Sequence, residues 1–474
     1  MMENTTKCLF WLWLCLRVTA LSAQDQKMNA GIFPAAEVEY VKLIDWKRFE
    51  GKSMVTDSQQ LAGKLLLNAN KYALTTWWQE RGFSELSQHG YLDLKGISEH
   101  RVRPVAAEAE ALAASLRLGL YDPASVGVSE HEAAEKTILL IKSLAHAHLA
   151  NTENGWGREW QSALWAGYSA FAGWMMWDKL DDQTQMEVLK MIRVECEWIM
   201  HDKGLPQIKT YRNRHGEIIS PGDTGSEENA WDGLILTVAS AMMPAHPQQS
   251  KWMEKLIFLT LNATARPSDL ESTQLVNGKP LREWLIGSNI NEDGTAVNHH
   301  FIHPDYMTSV FEFNPIKYFW LADMEVSMAM VHNIDVVFGG FADLTFTAGE
   351  TITGGEVKAP GGTIFIQGTG DIYYPLGTDW GEGRRMNFVM FNSIAAAFSP
   401  NPAVRKRARE WMLLQGQEAL EMQGRFEDGH TYMNEKEDAY KSREAWVADK
   451  ATSTYIIEAL QLTEAPRFTN QKIK

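Results

Sequence analysis

The strongest constraint on the fold is a succession of helix-length amphipathic segments between about residues 58 and 265. Apolar residues recur with a helical period in 106–120, 130–149, 159–177, 181–200, 224–243 and 249–264. Short polar or proline-containing links separate these segments, and no strand pattern lies between them. Because helices of this length joined by short links form antiparallel hairpins, the sequence predicts a mainly α-helical domain.

The pattern changes near residue 343. Clusters of β-forming residues, such as Leu344-Thr-Phe-Thr and Thr363-Ile-Phe-Ile, alternate with paired glycines, and helical periodicity returns at 387–398, 401–424 and 442–462. The best-fitting architecture is an α/α toroid, incomplete or complete, of antiparallel helical hairpins over residues 23–470. It would carry a small β-rich insertion at about 343–376, and an open helical array is the alternative.

The first 22 residues have the features of a secretory signal peptide. A single lysine, Lys7, precedes a short apolar run from Cys8 to Leu16, and small residues follow up to Ser22. We therefore expect a secreted or periplasmic protein. Removal of the signal leaves only Cys196 of the three cysteines, so no intrachain disulfide can form.

The charge of the chain limits its partners. The formal net charge is −15, and such a surface disfavours nucleic acid and anionic membranes. An anionic substrate therefore needs a local basic site. The 18 tryptophans and 19 phenylalanines suit both a large core and a sugar-binding cleft. We expect a monomer that binds an acidic polysaccharide or oligosaccharide and requires neither a metal nor another cofactor.

Residues 288–306 concentrate more polar chemistry than a structural loop needs. The segment holds three imidazoles (His299, His300 and His303), several amides, acids and the phenol of Tyr306. Pro304 argues against a helix that continues through it, so we predict a turn followed by a short extended piece. Its side chains would then point into a cleft held by more rigid elements.

Amides, aromatic residues and arginines elsewhere complete a candidate site. Asn229 and Trp231 follow Thr224-Gly225 at a predicted helix start, and Trp160 lies at another. Basic residues cluster at Arg212 and Arg214 and again in the glycine-rich loop with Arg384 and Arg385. Arginine binds carboxylates through two parallel hydrogen bonds, so both loops are candidates to hold an acidic sugar.

These residue types favour β-elimination from a uronic acid. The proton at C5 is acidic enough to remove only when the neighbouring carboxylate is neutralised as an enediolate forms. Amide, imidazole and guanidinium groups can stabilise that charge. A base must then remove the C5 proton, and an acid such as a tyrosine must protonate the O4 leaving group.

The order of these motifs resembles that of polysaccharide lyases with an α/α toroid, such as the hyaluronate, chondroitin and xanthan lyases. The similar elements are Thr224-Gly225 with Asn229, the Asp293-Gly294 turn with His299-His300 and Tyr306, and the Gly383-Arg384-Arg385 loop. The resemblance implies that Asn229 neutralises the carboxylate and that His299 or His300 is the base or a second carboxylate contact. It also implies that Tyr306 donates the proton and that Arg384 or Arg385 supports the charge.

Two further expectations come from the same resemblance. The segment from Trp156 to Trp165 is similar to lyases that cut at glucuronate, including rhamnose-glucuronate linkages. The β-sandwich that usually follows the toroid in this family is expected to be absent. The residues expected to bind substrate are Arg212, Arg214, Trp231, Arg385, Trp160 and His303.

Four alternatives stay open at this point. His299, His300, His303 and Asp305 could bind a metal, although no His-Glu-x-x-His motif is present. A glycoside hydrolase could instead pair Glu292 or Asp293 with Asp232 or Asp305. The protein could bind acidic glycans without turnover. The histidines could also be buried residues with satisfied hydrogen bonds.

Overall fold

A computed structural model describes residues 35–83, 90–208, 211–212, 218–220, 223–312, 314–352 and 355–471. The chain divides into two units, residues 1–39 and 40–474. The described part of the first unit is the beginning of a 3-10 helix, Ala35–Tyr40, and the predicted signal peptide at 1–22 lies outside the described residues. The long helices and the candidate site belong to the second unit.

Helices dominate the described part of the second unit, which confirms the prediction of a mainly helical chain. Those of six or more residues are α1 (Asp57–Tyr72), α2 (Glu99–Arg117), α3 (Glu130–His146), α4 (Ser162–Met175), α5 (Asp182–Glu197), α6 (Ser226–Met242), α7 (Gln249–Thr264), α8 (Pro304–Ser309), α9 (Ile316–Leu321), α10 (Ile334–Ala342), α11 (Arg385–Phe398), α12 (Pro402–Gln423) and α13 (Arg443–Leu460). Shorter helical turns occur at Trp46–Phe49, Ala73–Trp77, Trp78–Glu80, Pro123–Val126, Trp177–Lys179, Trp198–Asp202, Pro267–Glu271, Leu281–Glu283 and Met328–Val331. No described helix is both long enough and apolar enough to cross a membrane.

Capping residues determine where several helices start. Thr56 and Gln59 form a reciprocal capping box at the start of α1. The carboxylate of Asp181 accepts a hydrogen bond of 2.7 Å from the backbone N–H of Thr184 at the start of α5. These caps satisfy N–H groups that have no partner within their own helix.

Helix α2 begins at Glu99, earlier than the predicted start at Ala106. Pro104 lies inside the helix, where proline cannot donate to the carbonyl four residues before it. That carbonyl belongs to His100, and the Arg81 guanidinium donates to it at 3.4 Å. A side chain from outside the helix therefore replaces the missing backbone hydrogen bond.

The described strands are two or three residues long and pair into small ribbons. They are β1 (Tyr211–Arg212), β2 (Ile218–Ser220), β3 (Leu275–Val276), β4 (Lys279–Pro280), β5 (Val297–Asn298), β6 (Phe301–Ile302), β7 (Val326–Ser327), β8 (Phe346–Thr347), β9 (Thr351–Ile352), β10 (Gly355–Glu356), β11 (Gly361–Gly362) and β12 (Phe468–Thr469). The pairs β1–β2, β3–β4, β5–β6, β8–β11 and β9–β10 are antiparallel, and β7–β12 is parallel. The segment 343–376, predicted to be β-rich, contains β8 to β11.

The packing of helices follows a closed circuit. Helix α2 packs on α4, α4 on α6, α6 on α8 and α9, α8 on α11, α11 on α13, and α13 again on α2. Helices α3, α5, α7 and α12 pair with α2, α4, α6 and α11, respectively, and α1 packs on α13 and α12. Every residue of α4 is buried, as expected for a helix surrounded by others.

Candidate active site

The N-terminal ends of helices in the circuit surround a cleft of about 470 Å³. The lining comes from α2 (Glu99, His100, Arg103), the residues just before α4 (Trp160, Gln161), α6 and the segment before it (Asp223, Glu227, Glu228, Trp231), β5 to α8 (Asn298, His299, Asp305, Tyr306, Ser309), the loop before α11 and α11 itself (Trp380, Arg384, Asn387), and α13 with the segment before it (Ala439, Tyr440, Lys441, Trp446). Because the helix dipole is positive at the N-terminus, this arrangement favours an anion.

The paired histidines form a two-residue hairpin turn. Asn298 of β5 pairs with Phe301 of β6, so His299 and His300 form the turn between them. Both have positive φ, 51° and 72°, as in a type I′ turn; this conformation is uncommon for residues other than glycine, although histidine adopts it more often than most. The turn directs His299 into the cleft, whereas the His300 side chain is 89% exposed. Strained backbone of this kind clusters at functional sites.

His299 belongs to a chain of hydrogen bonds inside the cleft. Its Nδ1 lies 2.5 Å from Oδ2 of Asp379, and its Nε2 lies 3.2 Å from the hydroxyl of Tyr306. The carboxylate can only accept, so Nδ1 carries the ring proton and Nε2 is free to accept from Tyr306. The indole N–H of Trp380 donates to the same hydroxyl at 3.3 Å. This chain places a proton acceptor beside a proton donor.

The surroundings of Tyr306 keep its hydroxyl protonated. Burial raises the pKa of Tyr306, and the nearby Glu227 carboxyl raises that pKa further. Burial also raises the pKa of Glu227 well above its ordinary value, with Glu312 and Glu228 adding to the effect. Glu227 is therefore a proton-bearing acid in the wall of the cleft.

Asp379 binds a second imidazole, that of the fully buried His303. Nε2 of His303 lies 3.0 Å from Oδ1 of Asp379. This hydrogen bond is the main cause of a lowered pKa for Asp379, and the bond from His299 contributes to it. His303 therefore lies behind the cleft, where it positions Asp379, instead of contacting substrate as predicted.

Arg384 is a buried guanidinium at the cleft, and its neighbour Arg385 points elsewhere. Nε of Arg384 donates to Asp438 at 3.1 Å. Burial opposes the charge, but Asp438 and Asp305 outweigh it and raise the pKa of Arg384. Arg385 donates to Asp371 at 2.9 Å and does not line the cleft. The structure thus separates the two arginines that the sequence left equivalent.

Asn229, the predicted neutraliser, lies outside the cleft. Its Oδ1 accepts from the backbone N–H of Gln207 at 2.8 Å, and its Nδ2 donates to the carbonyl of the same residue at 3.0 Å. Both ends of the amide are therefore used in holding the segment before α6. The amide that lines the cleft belongs to Asn298.

Asn298 has a donor available for a ligand. Its Oδ1 accepts from the backbone N–H of His299 at 2.7 Å. Among the residues that the structure describes, none accepts a hydrogen bond from its Nδ2. The sequence offered no basis for choosing Asn298 over Asn229, because the choice depends on the hairpin.

Aromatic rings form much of the cleft wall. Trp160, which is 53% exposed, packs edge-on against Trp231 with ring centroids 5.1 Å apart. Arg103 lies between the rings of Tyr440 and Trp446, 4.7 Å from each centroid. Sequence analysis predicted Trp160 and Trp231 as site residues but missed Arg103, Tyr440 and Trp446. Of the predicted basic cluster, Arg212 lies in β1 and Arg214 lies outside the described residues.

The carboxylates considered for a hydrolase do not meet. Glu292 binds Ser268, Asp293 binds Thr295, and Asp232 contacts Lys203. Asp305 is the member of that set that lines the cleft, and burial raises its pKa. None of the proposed pairs is therefore assembled at this site.

Comparison with known proteins adds no assignment: no protein-family model matches the sequence, and a search of curated proteins finds no match.

Proposed function

We propose that the protein is a secreted polysaccharide lyase that cleaves uronic-acid-containing polysaccharide by β-elimination. The observation that carries this proposal is the hydrogen-bonded chain Trp380–Tyr306–His299–Asp379 in a cleft that also presents Arg384 and Asn298. An acid, a base and donors for a carboxylate are the groups that this reaction needs.

His299 and Tyr306 are placed for the two proton transfers. Nδ1 of His299 faces Asp379 and its Nε2 faces Tyr306, so in the tautomer that carries its proton on Nδ1 the imidazole can accept the C5 proton through Nε2. Tyr306 is protonated and can donate to the O4 leaving group as the C4–O4 bond breaks. The proton lost from carbon stays on the imidazole, and the proton gained by oxygen comes from the phenol. Solvent then restores both groups.

Arg384 and Asn298 are suited to hold the uronate carboxylate. Arg384 is anchored through Nε, and within the described part of the chain its two terminal nitrogens have no hydrogen-bond partner. The free Nδ2 of Asn298 supplies a further donor. Such donors lower the barrier when they face the oxygens that gain charge as the enediolate forms.

The finer fold assignment belongs to the same proposal. Helices α2, α4, α6, α8, α11 and α13 form a closed circuit, and four of them, α2, α4, α6 and α11, each pair with the helix that follows in the chain. This arrangement supports an α/α toroid. In a toroid, the N-terminal ends of the inner helices would meet at one side and form the cleft floor. The aromatic wall around Trp160 and Tyr440 would then stack against sugar rings.

The direct test is incubation with a panel of uronic-acid polysaccharides while recording ultraviolet absorbance. A lyase product carries a C4–C5 double bond conjugated with the carboxylate, and a substrate whose carboxyl groups are reduced to alcohols should not be cut. Absence of unsaturated product from every uronate polymer would contradict the proposal.

A glycoside hydrolase is the second candidate, because two acids with raised pKa values, Glu227 and Asp305, line the cleft. Hydrolysis needs one protonated acid and one ionised carboxylate. Since burial raises the pKa of both groups, the pair is poorly suited to that division of roles. Release of saturated sugars only would favour this candidate.

A further inference from the structure

We propose that His299, His303 and Asp379 form a site for a divalent transition metal of the zinc class, and that metal binding there switches off the acid–base pair. One ring nitrogen of each histidine and one carboxylate oxygen of Asp379 lie within 4.8 Å of one another. The nitrogens that face Asp379 are Nδ1 of His299 and Nε2 of His303. Two imidazoles and one carboxylate are a common protein ligand set for zinc, with the fourth position left to water. The switching half of the proposal rests on the proposed lyase function, and the binding half does not.

The three ligands combine a rigid interior with access from solvent. The His303 side chain is fully buried and stacks on Phe301, whereas the side chains of His299 and Asp379 are 33% and 49% exposed. An ion can therefore enter from the cleft side. Both oxygens of Asp379 already face imidazole nitrogens, so an ion between them replaces two hydrogen bonds with coordination bonds.

Two buried atoms behind the site provide an independent reason to expect an ion. Without metal, Nε2–H of His303 donates to Asp379, which leaves a lone pair on Nδ1. This atom and Oδ2 of Asp305 lie 3.8 Å apart, and neither has a hydrogen-bond partner among the described residues. Unpartnered polar atoms inside a protein are costly.

Metal binding would satisfy both atoms. Coordination through Nε2 moves the ring proton of His303 to Nδ1, where it faces the Asp305 carboxylate. A carboxylate behind a metal-bound histidine is the usual outer partner that fixes the ring and its tautomer. Asp305 is buried and accepts from Tyr374 at 3.4 Å, and its Oδ2 needs to move closer to Nδ1 of His303 than the present 3.8 Å to take this role.

The same proton shift disables the base. Coordination through Nδ1 of His299 moves its ring proton to Nε2, the atom that accepts from Tyr306 in the metal-free protein. Each neutral ring keeps one proton, so the shift releases none. Nε2–H can then only donate to the Tyr306 oxygen, and His299 can no longer accept a proton from carbon. The protein would thus be active without metal and inhibited with it.

Metal binding to the full chain, stripped with a chelator, tests the site without any substrate. We expect Co²⁺ to bind with one equivalent, to give the visible absorbance of a site with nitrogen ligands, and to be displaced by Zn²⁺. Asp379→Asn and His299→Asn should weaken binding by at least about 10- to 100-fold. Asparagine is the chosen replacement at residue 299 because it tolerates positive φ.

The matched control is His300→Asn, which removes an exposed imidazole from the adjacent position of the same turn. It should leave Co²⁺ and Zn²⁺ binding unchanged. Failure of the wild-type chain to bind either ion saturably would overturn the site, and so would equal loss of binding in His300→Asn and Asp379→Asn.

The switching half is tested on a polysaccharide that the protein cuts. Inhibition should follow the Zn²⁺ binding curve, and a chelator should restore full activity. Activity that persists at saturating Zn²⁺, or that requires it, would overturn the switch while leaving the binding result intact. A lack of lyase activity would contradict the proposed function without altering the binding titration.

Discussion

Replacement of Tyr306 by phenylalanine is the most informative change in the cleft. The ring stays, so contacts with His299 and Trp380 are kept, and only the hydroxyl is lost. That hydroxyl donates to Nε2 of His299 and accepts from the indole of Trp380. Tyr306→Phe therefore asks whether the hydroxyl moves a proton or only holds its neighbours.

The two roles predict losses in kcat of different size. A hydroxyl that only makes two hydrogen bonds contributes about 1 kcal/mol for each, or about 2 kcal/mol together. If all of that appeared in the barrier, kcat would fall about 30-fold. Loss of a general acid costs roughly 100- to 10,000-fold. We expect Tyr306→Phe to lower kcat by more than about 100-fold with little change in KM.

The assay is the rate of formation of unsaturated product, with thermal unfolding measured in parallel. Tyr121→Phe is a matched control, because its hydroxyl donates to the carbonyl of Val128 at 3.0 Å and lies outside the residues lining the cleft. The control should lose some stability and keep its rate. A Tyr306→Phe protein with kcat within 30-fold of wild type would refute the assignment of this phenol as the acid.

Four more substitutions separate structural from chemical roles. Asn229→Ala removes two hydrogen bonds to Gln207, so it should lower the melting temperature and cost about 1–3 kcal/mol of unfolding free energy while leaving kcat unchanged. Asn298→Ala should instead lower kcat. Steady-state rates of both variants decide this, and the opposite pattern would restore Asn229 as the neutraliser. Glu227→Gln should keep its activity at neutral pH. It should also lose the fall in rate expected of wild type at alkaline pH, because the raised pKa of Glu227 means that this acid ionises only as pH rises through that pKa. A pH–rate profile identical to that of wild type would contradict this prediction. Asp379→Asn should be less stable than wild type, and this difference in unfolding free energy should shrink as pH falls below about 4. The pKa of Asp379 is lower in the folded chain than the value of about 3.9 in the unfolded chain, so the ionised carboxylate stabilises the fold and this contribution disappears when it is protonated. Chemical denaturation at several pH values measures the difference.

Local signals predicted the helices because helix formation depends on neighbours in sequence. The range 249–264 was predicted as observed for α7, and α12 starts at the Asn401-Pro402 cap. The prediction for α2 missed its first turns, since Pro104 argues against an interior position and only the tertiary contact from Arg81 compensates for it. The same error hid Glu99, His100 and Arg103, all of which line the cleft.

The site was harder to predict because its members meet through tertiary contacts. The three histidines are close in sequence but have different surroundings in the structure. The turn directs His299 into the cleft and leaves His300 exposed to solvent, whereas His303 is buried behind the cleft. Asp379 was not among the predicted site residues, because its partners lie some 80 residues earlier in the chain. The periodicity of apolar residues along the sequence does not predict contacts between residues so far apart.

The acidity of the whole chain and its proposed anionic substrate are compatible for a local reason. Glu99 is neutralised by Arg103 at 2.7 Å, and burial favours the uncharged form of Glu227. Arg384 keeps its charge, and several helix N-terminal ends face the same space. The field that a uronate meets is then set by the few groups within a Debye length, about 8 Å at physiological salt, while the net charge of −15 acts mainly on solubility and on larger polyanions.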